Sequence, residues 1–499
     1  MSELRTLLKH SSHYLSGRVV LMLLGFVSFP ILARVYSVED YGRISLALKL
    51  ILLFTVLGKF GLQNSVQRFF AEETQHDSAR ERGFYTTVLG SVSLIAILIT
   101  AAFMTAVFLL PSTAISAPLR SALLMAGVLI AIRAIQPAVL GFLRAAGRTG
   151  FYNFVDIGTK AVTVGLLIAG FAWISRGVSV FFTATIVAES TALGILIAYL
   201  ASQHLLAPRS IDYSLAKRIL LFGLPLIGYE LASVLLDSGD RLLVNHYLGA
   251  QAVGHYSAAY NICTYAEESL MIPINLALFP VYMKLWVNRG ETATTEFLNR
   301  SLQGFLFLAV GVAMFVISCA RPVVIVLASR KFENAYLLLP TLVIGLLIYA
   351  VHIFFNAPLM IHNRPFTMTK LVVYACVLNI VLNVVLLRVI GLQGAAVATL
   401  VSYLFLVIAL AIESRKLMQV RMDFRALGIA MLCATATYFV IGLIAAPKPL
   451  LTVLARGLVG SLLYGGLLVA CFPQIRNAIR NLRAARNVSE VAHQPAGVA

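Results

Sequence analysis

Charge is scarce in this chain. Asp, Glu, Lys and Arg make up 12% of its 499 residues, about half the share of an average soluble domain, while 60% are hydrophobic. That balance excludes an ordinary soluble protein, and also a disordered chain, which needs few apolar residues and high charge. Cysteine is sparse as well. Cys263, Cys319, Cys376, Cys433 and Cys471 lie far apart in apolar runs, without the C-x-x-C spacing of metal or redox sites. The nine histidines include no H-E-x-x-H pair, so no metal site is expected. Nor is there a G-x-x-x-x-G-K-[ST] loop, or a polar segment long enough for a nucleotide-binding unit, which weighs against an ATP-driven pump. The expectation that remains is an all-α integral membrane protein without a resident cofactor.

Apolar stretches near 11–33, 43–62, 84–110, 119–140, 153–172, 178–201, 217–238, 254–283, 301–319, 337–358, 370–387, 393–412, 425–445 and 450–471 read as about 14 transmembrane helices. Arg5 and Lys9 before the first run imitate a signal peptide. Arg34 follows directly, however, with no small-residue cleavage site, so the segment is expected to stay as an anchor. With the N-terminus inside, the eight inner segments carry 23 of the 39 Lys and Arg and the seven outer loops carry 10, which predicts both termini cytoplasmic. The net charge of +18 is then mostly topological. Arg476, Arg480, Arg483 and Arg486 in the tail suit anionic lipid headgroups better than nucleic acid. Trp173 and Trp286 fall at span ends, where indoles anchor the interface.

The chain repeats itself. In SVEDYGRISLA (Ser37 to Ala47) and GAQAVGHYSAA (Gly249 to Ala259), Gly42 matches Gly254, Ser45 matches Ser257 and Ala47 matches Ala259, all at an offset of 212. Gly147-Arg148 and Asn363-Arg364 recur at 216. These matches predict two six-helix lobes, 1–208 and 209–424, then two extra helices in 425–472 and a basic cytoplasmic tail, 473–499. An even number of intervening spans gives the lobes one orientation, related by an axis along the membrane normal.

Two stretches carry a family resemblance. LLGFVSFPILARVYSVEDYGRISLA, from Leu23 to Ala47, resembles the opening of the Wzx-type flippases of polysaccharide and O-antigen biosynthesis, and DRLLVNHYLGAQAVGHYSAAY, from Asp240 to Tyr260, resembles the matching element of their second half. The resemblance implies the fold of the multidrug, oligosaccharidyl-lipid and polysaccharide exporter superfamily. It further implies movement of an undecaprenyl-diphosphate-linked oligosaccharide between leaflets of a bacterial inner membrane, beside polymerase and chain-length or export proteins of one pathway.

Charges inside spans are costly and usually face a wet interior. Arg18, Lys49, Lys59, Arg133 and Lys160 all fall in the first half, whereas no comparably buried cation is expected in spans seven to twelve. Arg18, Arg133 and Lys160 each sit about seven residues, roughly 10 Å, from the inner end of their spans, a common depth for capturing a diphosphate. Lys49 lies nearer the outer side. Alternatively, Arg18 and Lys59 snorkel and Lys160 pairs with Asp156 one turn earlier. Glu267 and Glu268, with Glu230 and Glu189 as further candidates, are expected to carry a coupling proton or sodium ion. Pro30, Pro137, Pro225, Pro273 and Pro358 predict kinks, and Tyr229, Tyr256, Tyr260 and Asn261 are among candidate sugar contacts. Two competitors stand beside this reading. A multidrug antiporter for organic cations is poorly served by five buried cations in one lobe, and a glycosyltransferase or polymerase lacks a large outer loop here.

Overall fold

A helix that crosses about 30 Å of hydrocarbon needs some 20 apolar residues. Eleven helical stretches in the computed structural model meet that length and composition, one of them the 106-residue stretch Tyr213–Ser318. The structure describes residues 2–74, 78–111, 115–207, 210–473 and 476, with the side chains of 2–16, 18 and 78 outside that description. Among the described residues every regular element is a helix.

The first half holds α1 (Ser2–Val35), α2 (Val38–Lys59), α3 (Leu62–Thr74), α4 (Ser78–Leu109), α5 (Ala117–Ala145), α6 (Thr149–Trp173) and α7 (Val178–Ser202). The second holds α8 (Tyr213–Ser238), α9 (Asp240–Ser318), α10 (Ala320–Leu327), a 3-10 helix (Arg330–Leu337), α11 (Leu339–Ala350), α12 (His352–Ile361), α13 (Pro365–Ile390) and α14 (Leu392–Arg415). Then come α15 (Phe424–Gly442) and α16 (Pro449–Cys471), which pack with 307–314 of α9 in a separate apolar cluster. Backbone turns at Gly249 (φ 80°) and Gly290 (φ 73°), a region open to glycine without strain, divide α8 and α9 into three passes. Ten other long stretches, these three passes and α1, whose apolar run Val19–Val35 is shorter, are consistent with about fourteen among the described residues.

The surface is apolar where lipid would lie. Leu98, Phe108, Phe154, Leu432 and Leu462 are exposed on long helices, and Trp173 stands at the last residue of α6 with 84% of its surface free. Capping fixes the polar ends. Asp212 opens α8 by accepting from the Ser214 hydroxyl and the Leu215 and Ser214 N–H groups, and these bonds hold its carboxyl below the usual range.

The sequence repeat is a spatial one. Gly42 of α2 meets the backbone of Ala250 and Gly254 so closely that a Cβ on it would collide with the Ala250 carbonyl. A Cβ on Gly254 would in turn collide with the Val38 carbonyl. One turn on, the Ser45 hydroxyl donates to the Ser257 hydroxyl at 2.7 Å, across the same 212 residues. The second offset holds too. Gly147 (φ 72°) and Asn363 (φ 53°) both turn left-handed, and the Arg148 and Arg364 N–H groups each reach back five residues, to Leu143 and Leu359, at 2.8 Å.

One expected loop is helix instead. The stretch 239–253, placed between spans seven and eight, is helical up to the turn at Gly249, because Gly239 keeps right-handed helical angles (φ −66°, ψ −26°) and lets helix run on from α8. Asp240 and Arg241 are therefore inside the bundle, 0% and 1% exposed, which corrects the expectation that the second half holds no buried cation. The five prolines expected inside spans do lie inside helices, and Pro280 joins them.

Because only hydrogen fits at the crossing, Gly42→Ala or Gly254→Ala is expected to wedge the halves apart and cost about 1–3 kcal/mol, the range for overpacked sites. Thermal unfolding in detergent measures it. An unshifted midpoint in both variants would show that the two backbones do not meet there.

Candidate functional site

Four of the five expected cations have described side chains, and they fall into two groups. Lys49 and Lys59 stand on α2, ten residues apart, and both reach across to α8 in the other half. Lys49 Nζ lies 3.5 Å from Asp237 Oδ2, and Lys59 Nζ pairs with Glu230 Oε1. Neither snorkels to a membrane surface: each ends on a carboxylate between the halves. The Asp237 side chain keeps 45% of its surface accessible, so this seam is open to solvent rather than sealed in packing.

The second group lies within the first half. Arg133 of α5 grips Glu189 of α7 with two nitrogens, Nε to Oε2 at 2.9 Å and Nη2 to Oε1 at 2.7 Å, in the fork geometry that guanidinium offers a carboxylate. Lys160 of α6 is close enough to feel both charges, yet it forms no ion pair or hydrogen bond with a described residue, including Asp156. It is half-buried. Arg18 lies on α1 next to Gly17, where an added Cβ would touch the Asn153 side chain of α6 at 2.7 Å, but the Arg18 side chain is outside the described residues.

Arg133 and Lys160 lie at similar distances from the facing ends of α5 and α6. Because α5 runs to Ala145 and α6 begins at Thr149, Arg133 is twelve residues and Lys160 eleven from those helix ends, about 17–18 Å at 1.5 Å per residue. The helices extend past the apolar stretch into polar ends, so hydropathy alone set their boundaries short.

A further cluster escaped the sequence reading. Asp240 and Arg241 pair at 3.0 Å, Arg241 Nη1 also donates to the Asp237 carbonyl at 2.9 Å, and the Tyr256 hydroxyl donates to Asp240 Oδ2 at 2.5 Å. Arg241 Nε and Nη2 have no hydrogen-bond partner among the described residues. The faces of Tyr260, 4.1 Å from the guanidinium carbon, and Tyr256, at 5.5 Å, cover them. The Tyr260 hydroxyl donates to Asp237 Oδ1 at 2.6 Å and lies 3.1 Å from that of Tyr403. Tyr256 and Tyr260 are thus occupied by the protein's own acids rather than free for sugar, and Asn261 donates to the Tyr41 hydroxyl. The offset of 212 held the missing signal, for it aligns Asp240 with Ser28 and Arg241 with Phe29, both inside the first span.

Of the expected coupling carboxylates, Glu189 and Glu230 are engaged in ion pairs. Glu267 forms no ion pair or hydrogen bond with a described residue and is half-buried near Asp237. Glu268 lies one residue on, beside Tyr265. Among the described residues no three potential ligands converge as a metal site. A groove of about 740 Å³ lined by Glu291, Asn299, Arg300, Arg421 and Asp423 shares no residue with these charges.

Among the described residues the chain is a bundle of membrane-length helices with ionisable groups where its first and second parts meet. In solved structures it is similar to a lipid II flippase, MurJ, in an inward closed conformation (TM-score 0.76, 14% identity, 94% of this chain and 99% of that one). It is also similar to an inward-facing MATE multidrug resistance transporter of the MOP superfamily (TM-score 0.65, 14% identity, 79% and 93%). The chain belongs to the polysaccharide biosynthesis protein family, which it matches over residues 7–286. Among curated proteins it is 23% identical over 323 residues to the succinoglycan biosynthesis transport protein ExoT of Rhizobium meliloti, covering 63% of this chain and 60% of that protein. It is 24% identical over 165 residues to the probable low-salt glycan biosynthesis flippase Agl15 of Haloferax volcanii, covering 33% and 34%.

Removing one member of a shielded ion pair leaves the other uncompensated. Arg133→Ala and Glu189→Ala are each expected to destabilise the protein by up to about 3 kcal/mol, and the double variant by less than the sum. A double-mutant cycle on thermal stability measures the coupling, and strict additivity would dissolve the pair.

Proposed function

We propose that the protein is a flippase that carries an undecaprenyl-diphosphate-linked oligosaccharide from the cytoplasmic to the outer leaflet of a bacterial inner membrane, for exopolysaccharide or O-antigen assembly. It makes and breaks no covalent bond. The observation that carries the reading is Lys160, a half-buried cation without an ion-pair or hydrogen-bond partner among the described residues, close enough to Arg133 to feel its charge. A cation kept from water at this depth is expensive unless something anionic visits it.

On this reading the diphosphate first meets Arg133 and Lys160 from the cytoplasmic side, with Arg18 on the neighbouring α1 as a third cation. The prenyl tail stays in lipid and the sugars occupy the seam, so only the headgroup needs shelter. The diphosphate then competes with Asp237 and Glu230 for Lys49 and Lys59. Both pairs cross between the halves, so their exchange for substrate loosens the seam and lets the halves rock. The freed carboxylates, with Glu267 and Glu268 close by, are then where a driving proton or sodium ion acts. Anionic membrane lipids take the basic tail, and polymerase and export proteins of the same pathway receive the product.

Deleting the gene is expected to accumulate lipid-linked precursor and abolish polymer. Lys160→Gln, which keeps size and loses charge, is expected to cut turnover at least tenfold, about 1.4 kcal/mol, at unchanged protein level and thermal midpoint. Wild-type turnover from Lys160→Gln together with Arg133→Gln would remove the capture site.

A further inference from the structure

The wall of the seam contributed by the second half has a different chemistry from the cationic one. Tyr349, at the end of α11, stacks on His352 of α12 on one side (ring centroids 4.4 Å apart, 24° between planes) and on Tyr403 of α14 on the other (4.5 Å, 29°). The stack is anchored, because the Tyr403 hydroxyl meets Tyr260, which is itself fixed by Asp237. His352 Nδ1 lies 2.6 Å from the Tyr349 carbonyl, and donation there leaves Nε2 as an acceptor. Glu267 sits beside Tyr349, as do Tyr229 and Asp237.

Three polar groups of this wall have no partner among the described residues: the Glu267 carboxyl, the Tyr349 hydroxyl and His352 Nε2. None of their atoms is among the fully buried unpartnered ones, and all three residues are half-buried. The offset of 216 sharpens the contrast between the walls. It sets Tyr349 at the position that Arg133 occupies in the first half, and Cys376 at that of Lys160. Where one half offers cations, the other offers rings and uncharged donors and acceptors around a single acid.

We propose that Glu267, Tyr349 and His352 form a subsite for the sugar part of the substrate, a neutral polyhydroxylated ring that shares its hydroxyls with the carboxyl, the phenol and Nε2, groups that the closed aromatic stack holds in place. An anion is disfavoured beside Glu267 and the nearby Asp237, and no set of three potential metal ligands surrounds them. A sugar alternates donors and acceptors and needs both on one surface. The anchored stack is preorganised, so little ordering opposes binding. The inference rests on the flippase reading, because it divides one substrate between two walls, diphosphate on the first half and sugar on the second.

The test is binding to the full-length protein in lipid nanodiscs, read by native mass spectrometry, with two probes: undecaprenyl diphosphate without sugar, and the lipid-linked oligosaccharides extracted from cells lacking this protein. Wild type is expected to bind both, the glycosylated lipid more tightly. Glu267→Gln, His352→Ala and Tyr349→Phe, the last of which keeps the stack, are expected to weaken the glycosylated lipid at least tenfold and the bare diphosphate less than twofold. Equal weakening of both probes overturns the subsite. Unchanged binding of both with transport lost in Glu267→Gln also overturns it, and returns Glu267 to ion coupling. Wild type that binds neither probe overturns the flippase reading itself, a result distinct from the other two.

Discussion

A charge inside hydrocarbon must be paired or reach water, and the rest of this structure answers to that constraint. The answer differs by place. Inside the second half the charges are buried: Asp240 and Arg241 neutralise each other at 0% and 1% exposure, with tyrosine rings closing over the guanidinium nitrogens that no acceptor meets. Where the halves face each other the pairs are only partly covered, as between Lys49 and Asp237 at 3.5 Å, with 25% and 45% of their side-chain surfaces accessible. One kind of contact builds a body; the other can be exchanged.

The seam combines two devices that age differently under motion. At Gly42 and Gly254 the backbones touch, and the Ser45–Ser257 bond spans the pseudo-twofold. Such contact is close-range and all or none, because dispersion falls away within an ångström. The lysine–carboxylate pairs act over longer distances and decline gradually. A second close approach lies at the break between α2 and α3, where Phe60 and Gly61 turn left-handed (φ 49° and 68°) and Gly61 packs on Gly223 of α8. Lys59 and Glu230 lie next to that break, so the charge pair stands where the backbone already departs from helix.

Much of this was legible in the sequence, for identifiable reasons. Apolar runs of about twenty residues marked the passes, and the single-residue identities at 212 and 216 marked contacts and turns that are physically equivalent: Gly42 against Gly254, Gly147 beside Asn363. Helix ends were not legible, because hydropathy reports lipid contact and α5 or α8 continue beyond it. That one error hid Asp240 and Arg241 in a supposed loop. Pairing across elements was illegible for a different cause. Nothing near Arg133 in sequence points to Glu189, 56 residues away, and Lys160 looked paired with Asp156 because only local spacing was visible. The 3.9 Å approach of the Cys433 and Cys471 sulfurs on α15 and α16 is of the same kind, 38 residues apart and without motif spacing.

Matched glycines and turns accompany unmatched side chains where the two halves meet. The repeated glycines and turns conserve the backbone path, which both halves need in order to close on each other. The side chains that face the seam are under no such demand, and at equivalent positions they diverge: Arg18 against Glu230 and Lys49 against Asn261 at offset 212, Arg133 against Tyr349 at offset 216. A fully symmetric pair of cationic walls would repel, and a fully symmetric pair of acidic walls would repel as well. Opposite character in the two halves lets the empty protein satisfy its own charges across the seam, and it gives a substrate with one anionic end and one neutral end a single orientation in which both find their chemistry.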